Sequence, residues 1–298
     1  DVNYIGDDES LGYPMGTDAF IGQVLGDTPP AGISQDQIRT VNGIKERQDR
    51  LTENNLIVAS NFNYVKDRRE NLFDENFSIF RVKVESAGNL LSTASQLLGL
   101  DKNENDQYEL FNVAYSQYIK TELDYIKHWD LGKRNVLAFR SFFGIAIPYG
   151  NSTNIPFSKS FFAGGANDNR AWTPYSLGPG TSRSINEFNE ANLKLAFSLE
   201  NRFNLFGDMY GAFFVDVGNI WNALDDVEDE ASTFDNLGSL KELAVGSGFG
   251  LRYDFSFVVF RFDIGFKTYE PYFETGNRWF KNYNFTHAVY NIGINYPF

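Results

Sequence analysis

The chain has 298 residues, no cysteine and a formal net charge of -13. Without thiols there is no disulfide framework and no zinc–cysteine site, and the acidic balance argues against a nucleic-acid partner, because no basic surface is there to displace phosphate counterions. Aromatic residues make up 16% of the chain, yet mean hydropathy is -0.35 and no window approaches the about 18 consecutive apolar residues of a membrane helix. A soluble all-β protein and a membrane β-barrel both fit, since barrel strands alternate apolar with polar residues and average to mild hydropathy.

The chain opens on "DVNYIGDDES", which has neither the basic nor the apolar region of a signal peptide. The expectation is a processed chain or a later part of a longer polypeptide. Residues 1–50 read as an irregular region with one helix, "SQDQIRTVNGIKERQDRL" at 34–51. Ser34 is its candidate cap, and Ile38, Val41, Ile44 and Leu51 form its apolar stripe. Residues 51–298 read as strands. Leu56, Val58, Phe62 and Tyr64 alternate with Ile57, Ala59, Asn61 and Asn63. "LLSTASQLLGL" at 90–100 is a short helix within a loop. Residues 111–125 then read as one long strand, with Phe111, Val113, Tyr115, Ile119, Leu123 and Tyr125 on one face. Leu137 to Tyr149 give the next. After a glycine-rich loop, Leu193, Leu195, Phe197 and Leu199 oppose Lys194, Ser198 and Glu200, and Phe213 and Val215 oppose Phe214 and Asp216. The last strands carry Phe249, Leu251 and Tyr253 against Gly248, Gly250 and Arg252, then Phe260, Phe262 and Ile264 against Arg261, Asp263 and Gly265. Tyr290, Ile292, Ile294, Tyr296 and Phe298 close the series against Asn291, Gly293 and Asn295.

Several of these runs reach about 12 to 20 residues, where globular strands average about 5–6 and a bilayer crossing needs about 9–11. The face opposite the aromatics mixes charge with glycine, which suits a polar lumen better than the outside of a sandwich. Tight connections ("NLFGD", "FSF") alternate with long ones at 151–187, 221–240 and 270–284. Short turns at one end and long loops at the other mark outer-membrane barrels. The acidic runs at 101–109 and 225–235 read as solvated loops. Trp129, Trp221 and Trp279 near strand ends fit interfacial belts or core packing. His128 and His287 suggest neither a metal site nor a nucleophile's base, and no calcium-loop motif is present. No cofactor is expected.

The stretch "FFAGGANDNRAWTPYSLGPG" at 161–180 resembles the sixth extracellular loop of the BamA/TamA superfamily of outer-membrane assembly barrels, the bacterial surface antigen family. Phe161, Phe162, Ala163, Gly164 and Gly165 match its aromatic pair and Ala-Gly-Gly. Arg170 falls at the motif arginine, and Gly178 and Pro179 at its Gly-Pro. Asn169, Ala171 and Trp172 depart from the usual aliphatic residue, glycine and Phe/Tyr. The Arg-Ala-Trp form looks most like the TamA-like lipoprotein branch of Bacteroidetes. Asp216, Gly218 and Trp221 match a following strand motif, and "HAVYNIGINYPF" resembles the C-terminal assembly signal.

The resemblance implies a transmembrane antiparallel β-barrel in the bacterial outer membrane, non-enzymatic, with short helices in its extracellular loops. It also implies that the barrel assists insertion, assembly or translocation of envelope proteins or lipids. The implied partners are outer-membrane lipid or lipopolysaccharide, client outer-membrane proteins or lipids, and a periplasm-spanning TamB-like protein. The family barrel has sixteen strands, within the even-numbered bacterial range. Five are expected here after the arginine loop and about three before it, so the chain reads as the C-terminal portion of a barrel. In the resemblance the loop at 151–188 folds inward, its arginine pairs with Glu200 and Asp216, and the seam beside the last strand opens. The pairing also follows from chemistry, because a guanidinium in a narrow lumen needs a carboxylate partner. A passive porin or ligand-gated transporter is the alternative, and a soluble β-sandwich the third reading.

Overall fold

Side-chain alternation builds one nine-stranded antiparallel sheet whose two faces have opposite polarity. The computed structural model describes residues 17–298 apart from 27–28, 31, 35–36, 39–40, 42–43, 46–53, 72–73, 183–188 and 227–228. Contacts divide the chain into residues 1–53 and 54–298.

In the first unit, α1 (Thr17–Val24) packs Phe20, Ile21 and Val24 against Val41, with Ile38 and Ile44 alongside. Ser34 and Gln37 form a reciprocal cap, Gln37 N donating to Ser34 Oγ at 3.2 Å and Ser34 N to Gln37 Oε1 at 2.8 Å. Leu51 lies outside the described residues.

The second unit holds β1 (Ala59–Asp67), β2 (Ser78–Ala87), α2 (Asn89–Leu98), the two-residue strands β3 (Glu109–Leu110) and β4 (Val113–Ala114), β5 (Tyr118–Gly132) and β6 (Asn135–Pro148). It continues with β7 (Leu193–Phe206), β8 (Met209–Trp221), β9 (Ala244–Asp254), β10 (Val259–Tyr269) and β11 (Val289–Ile294). The large sheet runs β1-β2-β5-β6-β7-β8-β9-β10-β11, so each strand pairs with its sequence neighbours once the small β3–β4 ladder is set aside. Among the described residues β1 and β11 are edges.

Four strands of the large sheet precede the arginine loop rather than three. β2 carries Phe80, Val82 and Val84 against Arg81, Lys83 and Glu85, an alternation the sequence reading passed over. The run at 111–125 is also not one strand. Phe111 and Asn112 adopt φ of 55° and 60° and close the β3–β4 turn, and β5 begins only at Tyr118.

Connections at one end of the sheet span residues 68–77, 133–134, 207–208 and 255–258. At the other they span 88–117, 149–192, 222–243 and 270–288. Lys133 and Arg134 both take positive φ, as a two-residue hairpin twisted with its strands requires. The outer face exposes Phe62, Leu199, Phe213, Phe249, Leu251, Tyr253, Phe260 and Ile292. The inner face is covered by residues 155–177, whose Ile155, Phe161, Trp172 and Leu177 pack on Ala87, Tyr118, Ala146, Ile220 and Ala244. No described helix is long and apolar enough to cross a membrane. The elements of crossing length are strands.

Candidate functional site

Inner-face glycines decide where the loop sits. A Cβ at Gly246 would lie 2.5 Å from Asn169 Oδ1 and 2.7 Å from Ala171 Cβ, and one at Gly265 would lie 2.4 Å from the Arg170 carbonyl oxygen. The loop backbone therefore rests directly on β9 and β10, and Asn291 of β11 donates to the Arg170 carbonyl at 2.9 Å. Within the loop, Gly164 and Gly165 adopt φ of 95° and 106°, which only glycine takes readily. They allow Gly164 N to reach Asp168 Oδ2 (2.7 Å) and Gly165 N to reach the Trp172 carbonyl (2.7 Å).

Arg170 is 1% exposed. Its Nε and Nη2 form a fork on Asp216 at 2.8 and 2.9 Å, and its backbone N donates to the same carboxylate at 3.1 Å. Nη1 donates to Glu200 and lies 3.6 Å from Asp263 Oδ2. The guanidinium carbon stacks 3.5 Å from the centre of the Phe214 ring. Gly248 makes that stack feasible, because a Cβ there would fall 2.5 Å from Phe214 Cζ.

The site is larger than one arginine and two acids. Glu200 also accepts from Arg202 Nε at 2.7 Å and from Arg252 Nη2 at 3.1 Å. Asp263 accepts from Arg252 at 2.5 Å and stands 3.6 Å from Arg261. Arg261 in turn holds the loop's Asn167 at 2.6 Å. Four arginines thus face three carboxylates, all of them buried. Arg252 and Arg261 sit directly opposite each other across β9 and β10. Like charges so placed repel, and Asp263 between them offsets the repulsion. Sequence reasoning placed Arg252, Arg261 and Asp263 on polar faces but did not bring them, or Arg202, to the site.

Beyond the arginine, Phe161 and Trp172 are buried in the core that joins loop to sheet, and Phe162 stacks on Tyr175. Gly178 approaches β8 so closely that a Cβ would meet Asn219 Oδ1 at 2.4 Å, and the Gly178–Pro179 peptide is cis. Gly218 lies where a Cβ would meet the Leu195 carbonyl at 2.9 Å. Trp221 is buried and donates to Glu242 Oε2 at 2.8 Å, so it is a core residue and not part of an interfacial belt. Trp129 and Trp279 are exposed.

The Omp85 superfamily domain matches residues 31–281. The chain belongs to the Omp85 superfamily. No curated protein sequence matches it. Among solved structures it is similar to BamA from Haemophilus ducreyi lacking POTRA domains 1–3, with 13% identity, a TM-score of 0.51, and coverage of 89% of this chain. The chain spans 47% of the length of that BamA structure. The Omp85 match, with the outward aromatic face and the alternating loop lengths, makes this an outer-membrane protein of transmembrane antiparallel β-barrel fold.

The three departures from the usual Omp85 loop motif have local accounts. Ala171 occupies the space left by Gly246, so its methyl needs no glycine of its own. Asn169 accepts from Ala171 N at 3.4 Å, a turn contact an aliphatic residue lacks. Trp172 fills the core and lies 5.9 Å from Lys267 Nζ.

The end of the chain corrects the sequence reading. Tyr290, Ile292 and Ile294 point outward on β11, but the alternation stops there. Asn295, at φ 66°, turns the backbone, and Tyr296 and Phe298 leave the outer face. Arg202 lies 4.1 Å from the Tyr296 ring centre and donates to the Phe298 carbonyl at 3.2 Å. His287 precedes β11 and is exposed. Gly293 makes room for Arg261, whose Nε would lie 2.5 Å from a Cβ there. Arg202→Met removes a sheltered cation–π contact worth about 2 kcal/mol together with the 2.7 Å ion pair to Glu200. A broad-specificity protease should then cut the folded protein at 295–298 faster than in wild type.

Proposed function

We propose that this Omp85 chain assists insertion, assembly or translocation of outer-membrane proteins or lipids without enzymatic chemistry, with residues 161–180 locked to the inner wall by Arg170. The observation that carries this is the full burial of a loop guanidinium against Asp216 and Glu200. A mobile or merely decorative loop has no use for a buried, multiply paired charge, whose desolvation is repaid only by good geometry. The lock holds the loop across β7, β8, β9 and β10, close to the edge strand β11 through Asn291. In this reading 51–298 form one stretch of barrel wall, 151–188 its inward loop, and β11 one side of a seam that opens for clients. Client outer-membrane proteins or lipids, lipopolysaccharide and a TamB-like partner are the proposed contacts.

A charge exchange tests the lock. Arg170→Glu and Asp216→Arg should each impair assembly of outer-membrane proteins in cells, and the double variant should recover part of the loss. Single variants that behave as wild type would refute it. A passive pore predicts instead that deleting residues 161–180 leaves assembly normal and conductance unchanged.

A further inference from the structure

The helix α2 exposes three of its four leucines, beside Thr93 and Gln96, while Leu91 is half-buried. The helix follows β2 directly, and its sequence NLLSTASQLL has no charged residue. Leu90 and Leu97 share one side and are 71% and 83% exposed, with Leu98 next to them. Ser95, about 140–160° from Leu90 and Leu97 around the helix at 3.6 residues per turn, is 0% exposed, and its hydroxyl has no hydrogen-bond partner. A helix on a protein surface in water turns its leucines inward and its serines out.

Contacts at its N-terminal end tie the helix to its neighbours. Gly88 donates to the Val58 carbonyl at 3.0 Å and takes φ 79°, pressed so closely on the neighbouring chain that a Cβ would lie 2.5 Å from the Ser116 carbonyl oxygen. The side chains of Gln117 and Tyr149 both donate to Asn89 Oδ1, at 3.1 and 2.9 Å. At the far end Gly99 closes the helix in the left-handed region.

The strands show the same inversion, apolar outward and polar inward, because their outer face meets lipid. Val58, opposite Gly88, is exposed on that outer side, as is Ile119 of β5. The leucines of α2 continue this apolar surface beyond the strand ends, at the long-loop end, which in outer-membrane barrels is extracellular. We propose that α2 is an interfacial helix whose Leu90, Leu97 and Leu98 lie in the outer leaflet, at the boundary between headgroups and acyl chains. Such a helix holds by apolar burial, and having no charge it is indifferent to salt. It would fix the height of the loop at 88–117 above the bilayer, independently of the arginine lock.

The cysteine-free chain allows a direct test. Leu90→Cys, Leu97→Cys, Phe213→Cys (strand outer face) and Glu104→Cys (charged turn) are made in the full-length protein. Each is labelled with an environment-sensitive fluorophore and reconstituted in phosphatidylethanolamine/phosphatidylglycerol vesicles, with folding checked by heat-modifiable migration. Nitroxide lipids bearing the spin label near the headgroup should quench positions 90 and 97 as they quench 213, and several-fold more than 104. Iodide should quench 104 and spare 90 and 97. Iodide quenching at 90 and 97 without lipid quenching would place the face in water and overturn the proposal. Protection from both quenchers would place another protein surface there and overturn it equally.

Discussion

Replacing Glu200 with alanine is expected to destabilise the folded protein by about 3–5 kcal/mol, the cost of stripping one partner from a buried charge pair. The effect belongs at the top of that range because three guanidiniums share this carboxylate: Arg170, Arg202 and Arg252. Four buried arginines would be left with two carboxylates. Guanidinium cannot shed its proton in a protein, so the excess charge has no escape except distortion of the wall. Arg170→Ala is expected to cost the wall less, although it removes the residue at the centre. Three arginines then face three carboxylates, and Asp216, left without its fork, can take a proton and become neutral. The two variants should therefore separate. Both should expose residues 161–180 to protease, but Glu200→Ala should lower the urea midpoint of the detergent-folded protein further. Equal midpoints would show that charge count does not govern this cluster.

The fold was legible wherever one face meets lipid and the other does not. In β9, and in β10 as far as the bulge after Lys267, the period of two holds, and Phe249, Leu251 and Tyr253 stand exposed as a lipid-facing row would. The same rule misled at 111–125. Phe111 and Val113 fall in phase with Tyr115 and Ile119, but Phe111 is 95% exposed at the tip of a local turn. Alternation measures spacing, and spacing alone does not tell one strand from two in phase. Glu200 and Asp216 were placed on the inner face by period and by resemblance. Asp263, Arg252 and Arg261 were on inner faces too, yet their convergence depends on register. Asp263 meets the network only because it stands opposite Gly250, with Arg252 opposite Arg261, and a single sequence does not print register. The glycines were the signal with unread content. Gly246, Gly248, Gly265 and Gly293 each mark a place where loop, ring or guanidinium occupies the space of a side chain. Close approach of another group is the common reason for glycine within a strand.

Gly265 supplies the sharpest use of that point. A Cβ at this position would lie 2.4 Å from the Arg170 carbonyl oxygen, 2.6 Å from its carbonyl carbon and 2.8 Å from Ala171 N. All three obstacles are backbone, so no side chain can swing aside. Gly265→Val should leave β10 at least as well suited to a sheet, because β-branched residues favour strands. What it excludes is the seated loop. Lifting residues 170–171 breaks the fork on Asp216, the contact with Glu200 and the hydrogen bond from Asn291 together. Overpacking alone typically costs about 1–3 kcal/mol, and with the ion pairs lost the seated state should fall below detection. The expected signature is a protein that still shows heat-modifiable migration, is cut by protease within 161–180, conducts more ions, and assembles client proteins no better than Arg170→Ala. Gly276→Ala, where an added Cβ meets nothing within 4 Å, is the control. If Gly265→Val resists protease and supports assembly as that control does, the inner-wall seat is not where the loop works, and the lock proposed for Arg170 falls with it.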